Sequence, residues 1–243
     1  MGIQHKFLQT DFGNGFQTHN AVLDITPYQP KVLFLGTFNP ATDEVSNVAD
    51  FFYGRNWFWP ILFNILEHKQ QVFYKSQRKF SFPKLEPSLP TILEFIAKHQ
   101  ISFADLIAEV LPGKEDICLA KNKIIYNGDN FDLIKDGDLV KLDKQGEIDW
   151  TTKPIIEYIK NNPSIETIYY TRKSSKPFNK IFEQIELQFA DRNVKVKYLF
   201  TPSGQGLKGS PRNEELMKQW VKSSREGFDN LDEQWVNKLK TAL

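Results

Sequence analysis

Lys31-Val32-Leu33-Phe34-Leu35-Gly36 is a short, unbroken apolar run closed by glycine. That is the pattern of a strand buried on both faces, as in a parallel sheet. Late in the chain, Ile165 to Thr171 and Val194 to Phe200 predict two more strands. Between them apolar residues recur at helical spacing. Asn56 to His68 carries Phe58, Trp59, Leu62 and Ile65, with Pro60 in the first turn, where a missing N–H costs little. Pro90 to His99 predicts a second helix, and Ile101 to Ile107 a short strand. Thr152 caps a helix that has Pro154 near its start and ends at about Asn161. Ser174 or Ser175 caps the next, ahead of Pro177, and Asn213 caps one carrying Leu216, Trp220 and Val221.

Strands alternating with helices at this spacing predict an α/β fold: a three-layer α/β/α arrangement with a mostly parallel central sheet. No stretch rich in Pro, Gly and Ser divides the chain, so residues 1–243 read as a single domain. Within it, residues 1–30 read as an irregular arm and 75–90, basic and punctuated by proline, as a loop. Residues 111–150 read as a possible insertion. There Asp138–Leu142 and Glu147–Trp150 flank Lys144-Gln145-Gly146, which suggests a hairpin. A C-terminal helix, roughly Leu231 to Leu243, belongs to the segment 224–243. In open α/β sheets ligands bind at the carboxyl ends of strands. The loops after Leu35, Tyr170 and Phe200 are therefore the places to look for chemistry.

Composition narrows the chemistry. The net charge of +1 gives no global signal for nucleic acid, though a local patch would suffice to hold a few phosphates. The one cysteine, Cys118, excludes an internal disulfide or a Cys-rich metal centre. His5, His19, His68 and His99 show no ligand spacing, so no metal site is expected. Neither a signal-peptide run nor a span-length apolar segment is visible, which makes a reducing, cytoplasmic setting the expectation.

Two constellations follow the outer apolar runs. Gly36-Thr37-Phe38-Asn39-Pro40 leads to Phe51-Phe52-Tyr53-Gly54-Arg55-Asn56-Trp57-Phe58-Trp59, and the last run enters Thr201-Pro202-Ser203-Gly204-Gln205-Gly206. A strand ending in Gly and Asn-Pro, an Asn-x-Phe-Trp helix start and a late Pro-Ser-Gly loop, in this order, resemble the uracil-DNA glycosylase superfamily. The nearest branches are the mismatch-specific uracil/thymine and the hypoxanthine-DNA glycosylases. The likeness covers about residues 31–222.

This resemblance implies a glycosylase-like fold and a monomeric, monofunctional enzyme with no metal or organic cofactor, acting on DNA with a damaged or mismatched base. Such an enzyme flips the base into a pocket and hydrolyses its glycosidic bond. Asn39 would orient the water; in the alternative alignment, that of the hypoxanthine branch, Phe38 would take that place. Phe58 would stack the base, with Tyr53, Asn56 and Thr171 beside it. Ser203 would contact the reacting site or a phosphate. Gly204, Gln205 and Gly206 would offer backbone donors, Leu207 a wedge into the duplex, and Lys208, Arg212 and Arg172 cations for phosphate.

Plainer readings stand beside these. Phe58 and Trp59 are also what a helix buries, and Asn-Pro is a common turn pair. Lys173 and Lys176 read as solvated charges, and Asp105 as a surface acid with support of the site as the alternative. Arg55, Lys75, Arg78, Lys79 and Lys84, interleaved with aromatics, suit either a nucleic-acid strand or a solvated loop. Two other functions remain: a catalytically inactive nucleic-acid or nucleotide binding protein of the same fold, or an unrelated α/β hydrolase or transferase. The absence of Gly-x-Ser-x-Gly, P-loop and Gly-x-Gly-x-x-Gly motifs weighs against the last.

Overall fold

A computed structural model describes residues 2–41, 51–53, 57–68, 74–76, 79–81, 87–120, 123–131, 134–173, 175–204, 206–208 and 212–221. In chain order the first elements are β1 (Ile3–Gln4), β2 (Asp11–Gly13), β3 (Phe16–His19), β4 (Val22–Ile25) and β5 (Val32–Gly36). There follow α1 (Phe58–Phe63), continued by one π-helical turn over Asn64–His68, then β6 (Tyr74–Ser76), β7 (Lys79–Ser81) and α2 (Leu89–Lys98). The middle holds β8 (Ile101–Asp105), β9 (Ile107–Val110), β10 (Cys118–Ala120), β11 (Lys123–Tyr126), β12 (Asp129–Phe131) and α3 (Asp136–Lys144). The last third holds β13 (Ile148–Trp150), α4 (Thr152–Asn161), β14 (Thr167–Tyr170), α5 (Phe178–Leu187), β15 (Lys195–Tyr198) and α6 (Arg212–Val221).

Seven strands form the main sheet in the order β15-β14-β5-β8-β4-β3-β2. Its first four strands are parallel, and β4, β3 and β2 continue it antiparallel. The sheet is therefore mixed rather than mostly parallel. The difference comes from residues 1–30, which form strands rather than an irregular arm. Gly13, Asn14 and Gly15 and then Asn20 and Ala21 all have positive φ, so two tight reversals fold the segment back on itself.

Side chains of the strands alternate between two cores. Leu33 and Leu35 of β5 join the core with α3, α4 and α5, while Phe34 between them joins the core with α1, α2 and α6. The helices thus cover both faces of an α/β sheet, as the strand–helix alternation requires.

Two other segments depart from expectation. Asp138–Leu142 is helical, within α3, and is not a hairpin arm. Leu139 and Leu142, three apart, are both buried, and Lys141 and Lys144 lie in the last turn, where cations suit the helix end. Ile148–Trp150 is a strand, but it pairs with β9. The basic stretch after residue 73 contains the antiparallel pair β6 and β7 rather than only loop. The proposed helix after residue 230 lies outside the described residues. Among those described, no helix is long and apolar enough to cross a membrane.

Candidate active site

The four parallel strands end on one side of the sheet, and a cavity of about 640 Å³ opens there. Each strand delivers residues to it. Thr37, Phe38 and Asn39 follow β5, Asp105 closes β8, Thr171 and Arg172 follow β14, and Phe200 to Pro202 follow β15. The volume is within the usual range for small-ligand sites, roughly 300–1,000 Å³.

Asp105 forms the floor. It ends a strand of five buried residues and is itself only 1% exposed. Burial of a carboxylate is costly unless donors meet it. Two do, both on Oδ2: Nε2 of His5 at 2.7 Å and Nδ2 of Asn39 at 2.6 Å. Among the described residues Oδ1 accepts no hydrogen bond. The Asp105 backbone is held too, its N–H donating to Ala21 and its carbonyl accepting from the Thr151 hydroxyl.

The N-terminal segment builds this floor. The backbone N–H of Lys6 donates to the Asn39 carbonyl at 2.6 Å, and that of Ala41 to the Gln4 carbonyl at 2.7 Å. On the other side His5 N–H donates to Ala108 at 2.7 Å. The loop after β5 is thus stitched to residues 4–6. His5 Nδ1 accepts the backbone N–H of Phe7 at 3.0 Å. That nitrogen therefore carries no proton while the bond stands, and the ring is the Nε2–H tautomer, donating to Asp105.

Gly36 pairs with Asp105 across β5 and β8. A Cβ there would run into Asp105 Oδ1 and lie 3.2 Å from the Tyr53 hydroxyl oxygen. Asp105 cannot yield cheaply, because its other oxygen is held twice. Gly36→Ala is therefore expected to destabilise the protein by about 1–3 kcal/mol, as overpacking of a tight site does. Urea denaturation checks this, and an unchanged midpoint would show that the carboxylate has room to turn.

Tyr53 walls the cavity. It has a φ of 67°, a left-handed conformation that a bulky residue adopts only when its surroundings fix it. Its ring lies flat on Phe58, with centroids 3.9 Å apart and planes 4° apart. The Thr171 hydroxyl donates its one proton to the Leu35 carbonyl, so the Tyr53 hydroxyl, 3.1 Å away, donates to Thr171. Burial, and then the nearby Asp105 carboxylate, push the Tyr53 phenol well above its ordinary pKa. It stays neutral at physiological pH.

Several expected site residues are elsewhere. Phe58 is fully buried behind Tyr53, so in this conformation it is a core ring and Tyr53 is the aromatic bordering the cavity. Trp59 is core, as its helical spacing suggests, and its indole N–H donates to the Phe52 carbonyl. Ser203 is exposed in the turn after β15, its hydroxyl 3.3 Å from that of Thr201. The Gly204 N–H donates to the Thr201 carbonyl and so is not a donor held ready for a ligand. Leu207 is half-buried against the core rather than projecting as a wedge. Gly206 borders the cavity, and Lys208 is exposed. Arg212 opens α6, while Asn56 and Gln205 lie outside the described residues.

Arg172 and Lys173 line the cavity, and the Arg172 guanidinium lies 3.7 Å over the Phe178 ring and donates to Ser175. The cavity therefore has an acidic floor and basic groups in its wall. Asp105 is no surface acid, and the sequence signal for its burial is its place inside the largely apolar run Ile101 to Ile107. His5 had no comparable signal, because its neighbours are mixed in polarity. Among the described residues no group of three or more His, Cys, Asp or Glu is arranged to hold a metal ion. In comparisons with known proteins, no family model, curated protein or solved structure matches this chain.

Proposed function

We propose that the protein is a monofunctional DNA glycosylase-like hydrolase. It takes a flipped deaminated or mismatched base, uracil or hypoxanthine, and hydrolyses the bond joining it to deoxyribose. The reading includes a uracil-DNA glycosylase-like fold and a monomer acting in the cytoplasm. It rests on the motif order in the sequence and on one structural observation: Asn39 is hydrogen bonded to Asp105 on the cavity floor, where two adjacent parallel strands end.

The surrounding groups suit the task. Tyr53 offers a flat surface for a base, and stacking of this kind contributes about 1–3 kcal/mol per base. Arg172 and Lys173 can meet phosphate at the wall, a local source of affinity that a near-neutral chain still possesses. Hydrolysis separates charge between a cationic sugar and an anionic base, and the acidic floor is suited to the cationic side.

The test is base release from labelled duplexes carrying uracil, hypoxanthine, xanthine or a G·T mismatch, with alkaline cleavage of the abasic product. Release from uracil or hypoxanthine is expected. Salt-sensitive duplex binding with no release from any of them would instead favour the non-catalytic binding protein. The commitment of the Thr171 hydroxyl to Leu35, which leaves no side-chain amide to read a base edge at that position, fits this second reading.

A further inference from the structure

We infer that Asp105 is the base that activates the attacking water, and that His5 is the residue that positions it; the inference rests on the glycosidic hydrolysis proposed above. Asn39 carries an amide and is a poor proton acceptor, so it can orient a water but not take its proton. Asp105 supplies the missing acceptor. Its two oxygens are differently placed. Oδ2 is occupied by His5 and Asn39, whereas Oδ1 lies against Gly36, where any side chain would collide with it. Glycine at position 36 thus gives this oxygen the room it occupies, and Asp105 borders the cavity.

A purely structural role does not need the charge. A neutral amide could accept the same two hydrogen bonds at a lower cost of burial. Nor is His5 a counter-ion. With Nδ1 occupied by the Phe7 N–H, the ring is a neutral donor that fixes the carboxylate's rotation and leaves Oδ1 as the accepting atom. Tyr53 faces the same carboxylate and keeps its proton, so it does not compete as a base.

In the step itself, the water oxygen bonds to the sugar carbon C1′ while one of its protons passes to Asp105 Oδ1. The bond from C1′ to the base nitrogen breaks, and its electron pair leaves with the base. The base anion takes a proton from solvent, and Asp105 returns its own to solvent. One water is consumed, giving the free base and a sugar hydroxyl.

The experiment compares the full-length wild type with Asp105→Asn, His5→Ala and His5→Gln. It measures base release, duplex affinity and thermal melting for each. Asp105→Asn is expected to slow release by about 10²–10⁴-fold with affinity unchanged, the range for losing a general base. His5→Ala is expected to lower kcat with KM unchanged, and His5→Gln, whose amide can donate to the same oxygen, to recover part of the loss. Release by Asp105→Asn at the wild-type rate overturns the inference while leaving the glycosylase reading intact. A wild type that releases no base overturns both. If Asp105→Asn does not melt cooperatively, Asp105→Ala is assayed with added formate. Restored release supports the assignment, and a folded Asp105→Ala indifferent to formate overturns it.

Discussion

Replacing Phe103 with alanine is expected to destabilise the protein by about 3–5 kcal/mol, the usual cost of emptying a buried aromatic site. The ring is fully buried on β8, two residues before Asp105. It stacks on Phe34 and on Phe52 at 5.7 Å each, and meets Phe51 and Phe58 edge to face. These neighbours come from β5, from the segment before α1 and from α1 itself. The hole cannot close without moving the Tyr53 wall, whose ring also meets Phe103 edge to face. Such a loss is large against a total stability of roughly 5–15 kcal/mol. Urea denaturation measures it, with the slope unchanged if only stability is affected. A loss below about 1 kcal/mol would mean that the aromatic cluster repacks freely, contrary to the dense packing expected of interiors.

Asn39→Ala is expected to slow base release by about 100-fold, the order of effect seen when a positioning or stabilising group is removed. Two consequences combine. The cavity loses an amide that can orient water, and Asp105 loses one of its two donors. Duplex affinity should hardly change, because phosphate contacts supply most of it and Asn39 is on the floor, away from any backbone. Single-turnover release and duplex titration separate these effects. Equal losses in both would place Asn39 in binding rather than in the chemical step.

The parallel part of the fold was readable because burial on both faces leaves an unmistakable pattern. Val32–Gly36 and β14 are nearly continuous apolar runs, whereas β15 carries Lys195 and Lys197. The helix α4 starts where expected, but its N-cap is Thr151 rather than Thr152 and makes no side-chain capping bond. The strands of the first thirty residues are different. They are only two to four residues long, and β2 has no fully buried position. Their evidence was in the turns, Gly13-Asn14-Gly15 above all, and not in apolar periodicity. Between 136 and 144 the buried Leu139 and Leu142 stand only one helical turn apart, too short a pattern to distinguish a helix from strand alternation.

The site was half legible for a related reason. Motif order pointed to Phe38, Asn39, Tyr53, Thr171 and Arg172, all of which border one cavity. It could not tell which of two adjacent aromatics faces it. Tyr53 rather than Phe58 borders the cavity, because a left-handed backbone at Tyr53 folds its ring over the helix start. His5 was invisible because its partner lies 100 residues away, and no local pattern encodes such a pairing.

That separation has a kinetic meaning. The first seven residues leave the ribosome long before Asp105, so His5 must wait through the synthesis of about a hundred more before it can find its carboxylate. Contacts of such long range make folding slow, because the chain must close a large loop before the contact rewards it. The same loop ties the assembly of the cavity floor to completion of the central sheet. A nascent fragment ending before β8 has four of the main sheet's seven strands but no Asp105, and so has no cavity floor.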